Sequence, residues 1–588
     1  MIINNKKISV FLFLIILVTF WGSLGNSFVW DDNVVILKDP SLRSLSTLFL
    51  PDYPDRTRPI TFLSFYLDFY LWKLNPFWYH FENILLHAIN TILFFFLSKK
   101  IFGKKVALFS SVIFAVHPVH TESVYWLMDR SGLLCALFFF IAFLAYLKMD
   151  ESQGKRLVFY YTVFFISFVL SIFSKEMGMG LIPLLIIYDI SNKRLKEKIR
   201  YYFPFIIIGL IYLVFWLRGS ALTSFFSSHK YWGGSPYMTF LAMMTVIVEY
   251  MRLLFYPVSL QAWYITKIPE TIFEFKVIFG ILIFGLLLFA GIFYIRKNKV
   301  IGFSIFWFLI TLLPVSNIVP ISGSMMAERW LYIPSAGFCI ALGGIFERAF
   351  SLSEPKRTVF KYAVVSIFAM LAVAFIVMSE ARHKYWKNDP AVFIELKKIY
   401  PDWHIARYYL GRHYLDRKEY DRALEELMNI RVNSPYLLSD VNEMIGIVYR
   451  VQGRDAEAEQ YFKKAISIFP ANKAGYISLA VVYRMTGRNE GAVDLYKRAL
   501  EIDPDYPLAH NQLGLAYLEL GDEISAVRHI KKAVELEPLS VIFRLSLASV
   551  YEKTGDKKGA LKEYLEIKKI SPRNEAALKK IEELDIPK

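Results

Sequence analysis

Residues 439–472 read SDVNEMIGIVYRVQGRDAEAEQYFKKAISIFPAN, and residues 473–506 read KAGYISLAVVYRMTGRNEGAVDLYKRALEIDPDY. The two stretches are each 34 residues long and align without a gap. Gly453, Gly487, Gly521 and Gly555 keep that pitch, as do Pro470, Pro504, Pro538 and Pro572. So do Tyr449, Tyr483, Tyr517 and Tyr551, and Ala458, Ala492, Ala526 and Ala560. A repeat of this length is one helix–turn–helix unit of an α-solenoid. Small residues at Gly446, Ala480, Gly514 and Ala548 let the two helices of a unit close. Phe462, Tyr496, Ile530 and Tyr564 then fill the space between units. An imperfect copy with Tyr414, Ala423 and Pro435 lies upstream, giving units near 401–435, 439–472, 473–506, 507–540 and 541–574. Stacked units leave an extended concave groove suited to a protein partner.

Everything before this solenoid has a different composition. The chain has 588 residues, 55% hydrophobic and 17% aromatic, and its mean hydropathy is +0.38. Apolar segments lie near 8–25, 81–101, 105–119, 131–148, 157–174, 177–191, 199–218, 237–257, 274–296, 300–318, 329–349 and 358–379. Runs of roughly 18 apolar residues can cross a bilayer core. The expected fold class is therefore all-α: a polytopic membrane helix bundle over 1–380, a connector over 381–400, and a TPR-type solenoid over 401–588.

Lys and Arg concentrate in cytoplasmic loops. Lys6 and Lys7 place the N-terminus there, and Lys99–Lys105, Lys148–Arg156, Lys193–Arg200, Arg296–Lys299 and Arg348–Arg357 mark further loops on that side. Strict alternation fails between Arg218 and Arg296. It is restored if 237–257, which carries Glu249 and Arg252 and ends in Tyr256-Pro257, does not span. About eleven spans and an extracytoplasmic solenoid follow; if 237–257 spans, there are twelve and the solenoid is cytoplasmic. The first segment is expected to be an uncleaved helix, since its small-residue site at Ser23–Gly25 is poor.

The net charge of +16 and pI near 9.3 fit this loop bias together with a basic solenoid. No basic and aromatic nucleic-acid motif is present, so no nucleic-acid partner is expected. Cys135 and Cys339 both sit in apolar runs and form no framework. Phosphate-loop, dinucleotide and nucleophile-elbow motifs are absent from the sequence.

Polar residues out of place in such a chain gather in the outer segments Gly22–Tyr79, His117–Arg130, Ser174–Gly178, Gly219–Pro236 and Pro314–Trp330. Asp31 and Asp32 follow the first span. Paired carboxylates can share a proton and serve as a general base, or they can cap a turn. His80, Asn83, His87 and Asn90 share one helix face, which serves either a wet cavity or interhelical bonding. His117 and His120 straddle Pro118, and Glu122 follows. Their spacing is not a metal motif, and a sugar or phosphate site suits them better. Arg130 ends this loop, and Lys175-Glu176 forms the next outer turn. Glu328-Arg329 precedes a late span, where Arg329 suits a phosphate or pairs with Glu328.

In order along the chain, Asp31-Asp32, Arg58-Pro59, Tyr79-His80-x-x-Asn83-x-x-x-His87, His117-Pro118-x-His120-Thr121-Glu122, Ser174-Lys175-Glu176 and Ala327-Glu328-Arg329-Trp330-Leu331-Tyr332 resemble the transmembrane-and-TPR O-mannosyltransferases, which belong to the GT-C glycosyltransferases. The resemblance implies transfer of a sugar from a polyprenyl-phosphate carrier to Ser or Thr hydroxyls on the extracytoplasmic face. It implies inversion at the sugar carbon and no nucleotide sugar. The acidic pair, here Asp31 and Asp32, would supply the base. Arg329 and Arg58 would meet the carrier phosphate, with His80 and His120 as hydrogen-bonding partners. No metal or cofactor is expected. The expected partners are the lipid-borne donor, an extracytoplasmic protein bound by the solenoid, and membrane lipid. The short solenoid and compact loops depart from the eukaryotic pattern, so the eukaryotic acceptor does not carry over and a plasma (inner) membrane location is expected. A lipid-linked glycan ligase and a membrane-tethered scaffold are the competing readings.

Overall fold

The structure is a computed structural model and describes residues 4–38, 42, 58–222, 231–318, 324–352, 358–572 and 574–584. Lys356 and Arg357, and parts of the expected outer segments Gly22–Tyr79, Gly219–Pro236 and Pro314–Trp330, lie outside them. All regular structure among the described residues is helical. The chain divides into two compact units, Met1–Leu396 and Lys397–Lys588. The stretch read as a connector thus belongs largely to the first unit.

The first unit contains, in order, α1 (Asn5–Phe20), α2 (Pro59–Trp72), α3 (Pro76–Phe102), α4 (Lys104–Val116), α5 (Thr121–Tyr125), α6 (Arg130–Met149), α7 (Gly154–Ser174) and α8 (Leu181–Ser191). There follow α9 (Leu195–Leu222), α10 (Pro236–Phe255), α11 (Phe275–Tyr294), α12 (Lys299–Leu312), α13 (Pro334–Leu352), α14 (Thr358–Ala381) and α15 (Asp389–Ile399). Eight of them, α1, α3, α6, α7, α10, α11, α13 and α14, are long and apolar enough, with their flanking turns, to cross a membrane. The chain is a multi-pass membrane protein.

The basic clusters meet at one end of this bundle. Lys99 bonds Asn5 at 3.2 Å, and Lys100 pairs with Glu151. Arg194 and Lys198 both reach Asp150 at 2.6 Å. Lys299 bonds Asn192 at 2.8 Å, and Lys105 reaches Ser351 at 3.4 Å. The opposite end is tied by Tyr125 donating to the Ser379 carbonyl at 2.9 Å and Ser379 donating to that of Val116 at 3.0 Å. It holds every motif residue of the outer segments, and we call it the site end. The short α4, α8 and α12, of 13, 11 and 14 residues, also run between the two ends. So does α9, which starts beside Asp150 and packs Tyr212 on Phe173 near the end of α7.

Helix α10 is the exception. It is long enough to span, yet both its ends are fixed at the site end. Its C-terminal Leu254 carbonyl meets His117 at 3.0 Å. Ahead of its N-terminus, the Trp232 indole reaches Asn317, just past the end of α12, at 3.4 Å. It packs across the first turns of α11, with Lys276 on Glu249 at 2.7 Å and Gly280 against the Met244 backbone. A Cβ at Gly280 would come within 2.1 Å of the Met244 carbonyl oxygen, so only glycine permits this approach.

The second unit is a stack of helix pairs: His404–Asp416 with Tyr420–Met428, Pro435–Val451 with Asp455–Ile468, Lys473–Met485 with Asn489–Ile502, Pro507–Glu519 with Glu523–Leu536, and Val541–Lys553 with Lys557–Ile570. Glu575–Leu584 closes it. Gly453, Gly487, Gly521 and Gly555 all have φ between 76° and 83°, the left-handed turn that ends the first helix of each pair. In the irregular first pair Lys418 takes this conformation, at φ 61°. A Cβ at Gly446 would meet Phe462 at 2.6 Å, and one at Gly514 would meet Ile530 at 2.5 Å, which explains the small residue at that register.

The geometry of α10 gives a direct test. In a Cys135→Ser/Cys339→Ser background, Tyr231→Cys and Tyr256→Cys should be labelled by an impermeant maleimide from the same side of sealed vesicles. Labelling from opposite sides would show that α10 crosses.

Candidate active site

At the site end, charges buried in an apolar bundle have to be paired. Removing one member of such a pair strands the other at a cost of about 3–5 kcal/mol. Arg130 pairs with Asp68, reaches Glu82 at 3.4 Å, donates Nε to Asn83 Oδ1 at 2.8 Å and Nη2 to the Tyr79 carbonyl at 2.9 Å. Its guanidinium also covers the Phe65 ring at 4.9 Å. Lys175 meets Asp129 at 2.5 Å, both nearly fully buried. Arg58 meets Glu176 at 3.2 Å. Burial alone would push the Glu176 carboxyl up, but Arg58 and Lys175 outweigh it and hold the group below its ordinary 4.5.

Glu328 and Arg329 do not pair with each other. Arg329 turns to Glu122: its backbone N–H donates to Oε2 at 2.8 Å and its Nη1 to Oε1. Its guanidinium lies 5.0 Å from the Trp126 ring centre. Glu328 points the other way, accepting from the Gln261 backbone and from Tyr264 Oη at 2.7 Å, with Arg382 at 3.3 Å. Burial raises the Glu328 carboxyl to about 7, against the pull of Arg382.

The histidines are interior. His87 bonds Tyr332 Oη at 2.7 Å and the Ala115 carbonyl at 3.2 Å. His120 joins the Phe114 carbonyl and Ser335 Oγ, each at 2.8 Å. His117 accepts from the Val119 N–H at 3.2 Å while its other nitrogen holds Leu254. His80 is fully buried beside the Ser27 backbone. His117, His120 and Arg130, named from the sequence as site residues, are thus all held by other parts of the protein. Their polar atoms meet α2, α3, α4, α10 and α13, where they tie the bundle together.

The two adjacent aspartates separate sharply. Trp30 has φ 53°, a left-handed conformation that costs a tryptophan about 1–3 kcal/mol. That turn sends the next two side chains apart. Asp32 is fully buried and accepts from the Val29 N–H at 3.1 Å and the Met128 N–H at 3.2 Å. It is a turn-forming carboxylate, and burial raises it well above 3.8. Asp31 is only partly buried. Burial also raises its carboxyl, Arg329 lowers it and Asp389 raises it further. Arg329 already serves Glu122, so Asp31 has no cation of its own among the described residues.

Sequence reasoning missed the groups that hold this turn. Asp389 accepts from the Trp30 N–H and, at 2.7 Å, from Asn33 Nδ2. The Trp30 ring packs on Trp126, Trp263 and Phe393 at 5.6 to 5.7 Å. Arg382, directly after the last apolar run, was also passed over, although a charge at that boundary was the available signal. Buried polar atoms without a hydrogen-bond partner among the described residues gather here: the Asn26 amide, Trp126 Nε1, Asp129 Oδ2, and Arg382 Nε and Nη1. Apolar grooves open nearby. One of about 330 Å³ runs from Glu176 along Pro183, Leu213 and Ile310 to Leu313. A second of about 300 Å³, between α10, α11 and α12, shares Leu313 and Ile318 with it.

Over 520 residues the chain is 25% identical to protein O-mannosyl-transferase TMTC3 of Homo sapiens, covering 80% of this chain and 56% of that protein. Over 486 residues it is 25% identical to protein O-mannosyl-transferase TMTC4 of Mus musculus, covering 70% and 64% respectively. The chain resembles the TPR-bearing protein O-mannosyl-transferases. It spans a little over half the length of the first curated relatives it matches. Family models described as TPR repeat or tetratricopeptide repeat match residues 439–472, 482–521 and 511–575. The solved structure of TTC0263, a thermophilic TPR protein of Thermus thermophilus, is 22% identical, covers 31% of this chain and 98% of its own, and has a TM-score of 0.27.

The pairing of Arg329 can be checked by a double-mutant cycle. Glu122→Gln should lower the unfolding temperature in detergent, by about 3–5 kcal/mol of stability, because it leaves a buried cation uncompensated. Glu122→Gln/Arg329→Met should recover most of that loss, and additive losses would show that the two side chains do not interact.

Proposed function

We propose that this chain is a membrane glycosyltransferase that moves a sugar, mannose by its resemblance, from a polyprenyl-phosphate carrier to Ser or Thr hydroxyls of extracytoplasmic protein. One observation carries the reading. At an end where the other buried carboxylates are matched by a cation or by backbone N–H groups, Asp31 is partly open and faces an arginine already committed elsewhere. Such a carboxylate keeps a raised affinity for protons while remaining reachable, which is what a general base requires.

In the proposed step the acceptor oxygen attacks the anomeric carbon from the face opposite the carrier. The carbon–oxygen bond to phosphate breaks, and its electron pair leaves with the phosphate. The acceptor proton passes to Asp31. Arg329 and Arg58 supply positive charge for the developing phosphate dianion, a contribution that grows toward the transition state. The step asks for no metal. The apolar grooves beside Glu176 and Leu313 suit the carrier tail. Helix α14 brings the chain back to the site end. In this reading the basic end is cytoplasmic, the site end faces outward at a plasma (inner) membrane, and the solenoid binds the acceptor or a partner there.

The test is glycan on extracytoplasmic proteins, read by mass spectrometry in cells carrying single substitutions. Asp31→Asn should cut transfer by about 10²-fold or more at unchanged protein level. Asp32→Asn should instead lower yield and thermal stability, since its carboxylate closes a turn. Because the Asp31 carboxyl sits above 3.8, transfer should fall as pH drops through that raised value and protonates it. Wild-type transfer by Asp31→Asn would remove the base assignment. If wild-type cells themselves lack glycan that depends on the chain, the scaffold reading replaces this one.

A further inference from the structure

We propose that Asp389 is a positioning residue for the Asp31 carboxylate, reaching back across about 360 residues to hold the turn that aims it. This rests on the reading of Asp31 as the base. Asp389 opens α15, beyond the last apolar helix, in a stretch with no obvious chemical motif. Its two oxygens accept from the two residues that flank the acidic pair, the Trp30 backbone and the Asn33 side chain. One turn along the same helix, Phe393 packs edge-on against the Trp30 ring at 5.7 Å. Just before it, the Lys387 carbonyl accepts from the Ser27 N–H at 2.9 Å. The segment 387–393 thus grips 27–33 at a backbone bond, a bridging carboxylate and a ring contact.

The grip has a physical purpose. Trp30 sits at φ 53°, a conformation a bulky residue leaves unless surrounding contacts hold it. If Trp30 relaxed, the directions of Asp31 and Asp32 would change together. Asp389 also acts on Asp31 through charge. Among the described residues, the charged groups that bear on the acidic pair are Arg329, which favours ionised Asp31, Asp389, which opposes it, and the two aspartates on each other. A negative charge behind a base raises its proton affinity. Removing that charge should therefore move the acid limb of the pH–rate profile downward. Loss of packing alone would lower the rate without moving the limb.

The experiment uses the full chain in nanodiscs, with synthetic polyprenyl-phosphate-mannose as donor and membrane proteins from a strain lacking the chain as acceptor. Asp389→Ala should reduce kcat by about tenfold or more, leaving KM for the donor within about twofold, since orientation and not binding is lost. Asp389→Asn, nearly the same shape, should lower the acid-limb midpoint by about half a pH unit or more. Asp389→Glu, which keeps the charge, should leave the midpoint in place. Amide exchange at residues 29–33 should rise in Asp389→Ala relative to wild type. Unchanged kcat in Asp389→Ala, an unmoved limb in Asp389→Asn, or unchanged exchange overturns the assignment. If Asp31→Asn abolishes transfer while the Asp389 variants behave as wild type, only this inference falls. If Asp31→Asn is fully active, the base assignment falls and takes this one with it.

Discussion

A charge buried in an apolar helix bundle must find its opposite, and that demand organises the site end of this molecule. Asp68 meets Arg130, Asp129 meets Lys175, Glu176 meets Arg58, Glu122 meets Arg329, and Glu328 meets Arg382. The partners come from different helices and from turns distant in sequence. The pairs therefore act as cross-links that set where α2, α3, α5, α6 and the turn before α13 can lie. Such pairs add little net stability, because desolvation offsets the attraction. Their value is in register: a slipped helix would strand several charges at once. Against that background Asp31 stands out: among the described residues it has neither a cation of its own nor the backbone N–H groups that hold Asp32.

The polar stripe on α3 shows the same economy with neutral groups. His87 and Asn90 reach Tyr332 beside α13, and Asn83 bridges Arg130 to the Val124 carbonyl. A hydrogen bond left unmade in so dry a place is costly, so the Asn83 amide, the His87 ring and the Asn90 Nδ2 are drawn to neighbours. Of the two uses the stripe allowed, interhelical bonding is the one that Asn83, His87 and Asn90 make. The unpartnered atoms near Trp126, Asp129 and Arg382 stand apart from this pattern and border the candidate site.

The solenoid follows a simpler rule. Its repeats bury alanine and one large side chain at fixed register, and a left-handed glycine ends each first helix. Only the first pair breaks the spelling, with Lys418 where glycine would be easier. Packing against the following pair holds that helix in place despite the local penalty.

Period and hydropathy determined much of this from the sequence. A 34-residue pitch admits one helical pair, long apolar runs can cross a bilayer, and basic loops share a side. These are local or one-dimensional constraints, so they can be read from residue order. The acidic pair after the first span and the Arg329 motif were legible in the same way, as charges where few belong. The tertiary structure alone decided which carboxylate is structural and which is open, that Arg329 answers to Glu122, and that Asp389 holds the turn at Trp30. Each depends on groups between 3 and 359 positions apart meeting in a low dielectric. Sequence spacing does not encode such meetings, because only the folded chain brings the partners within a bond's length.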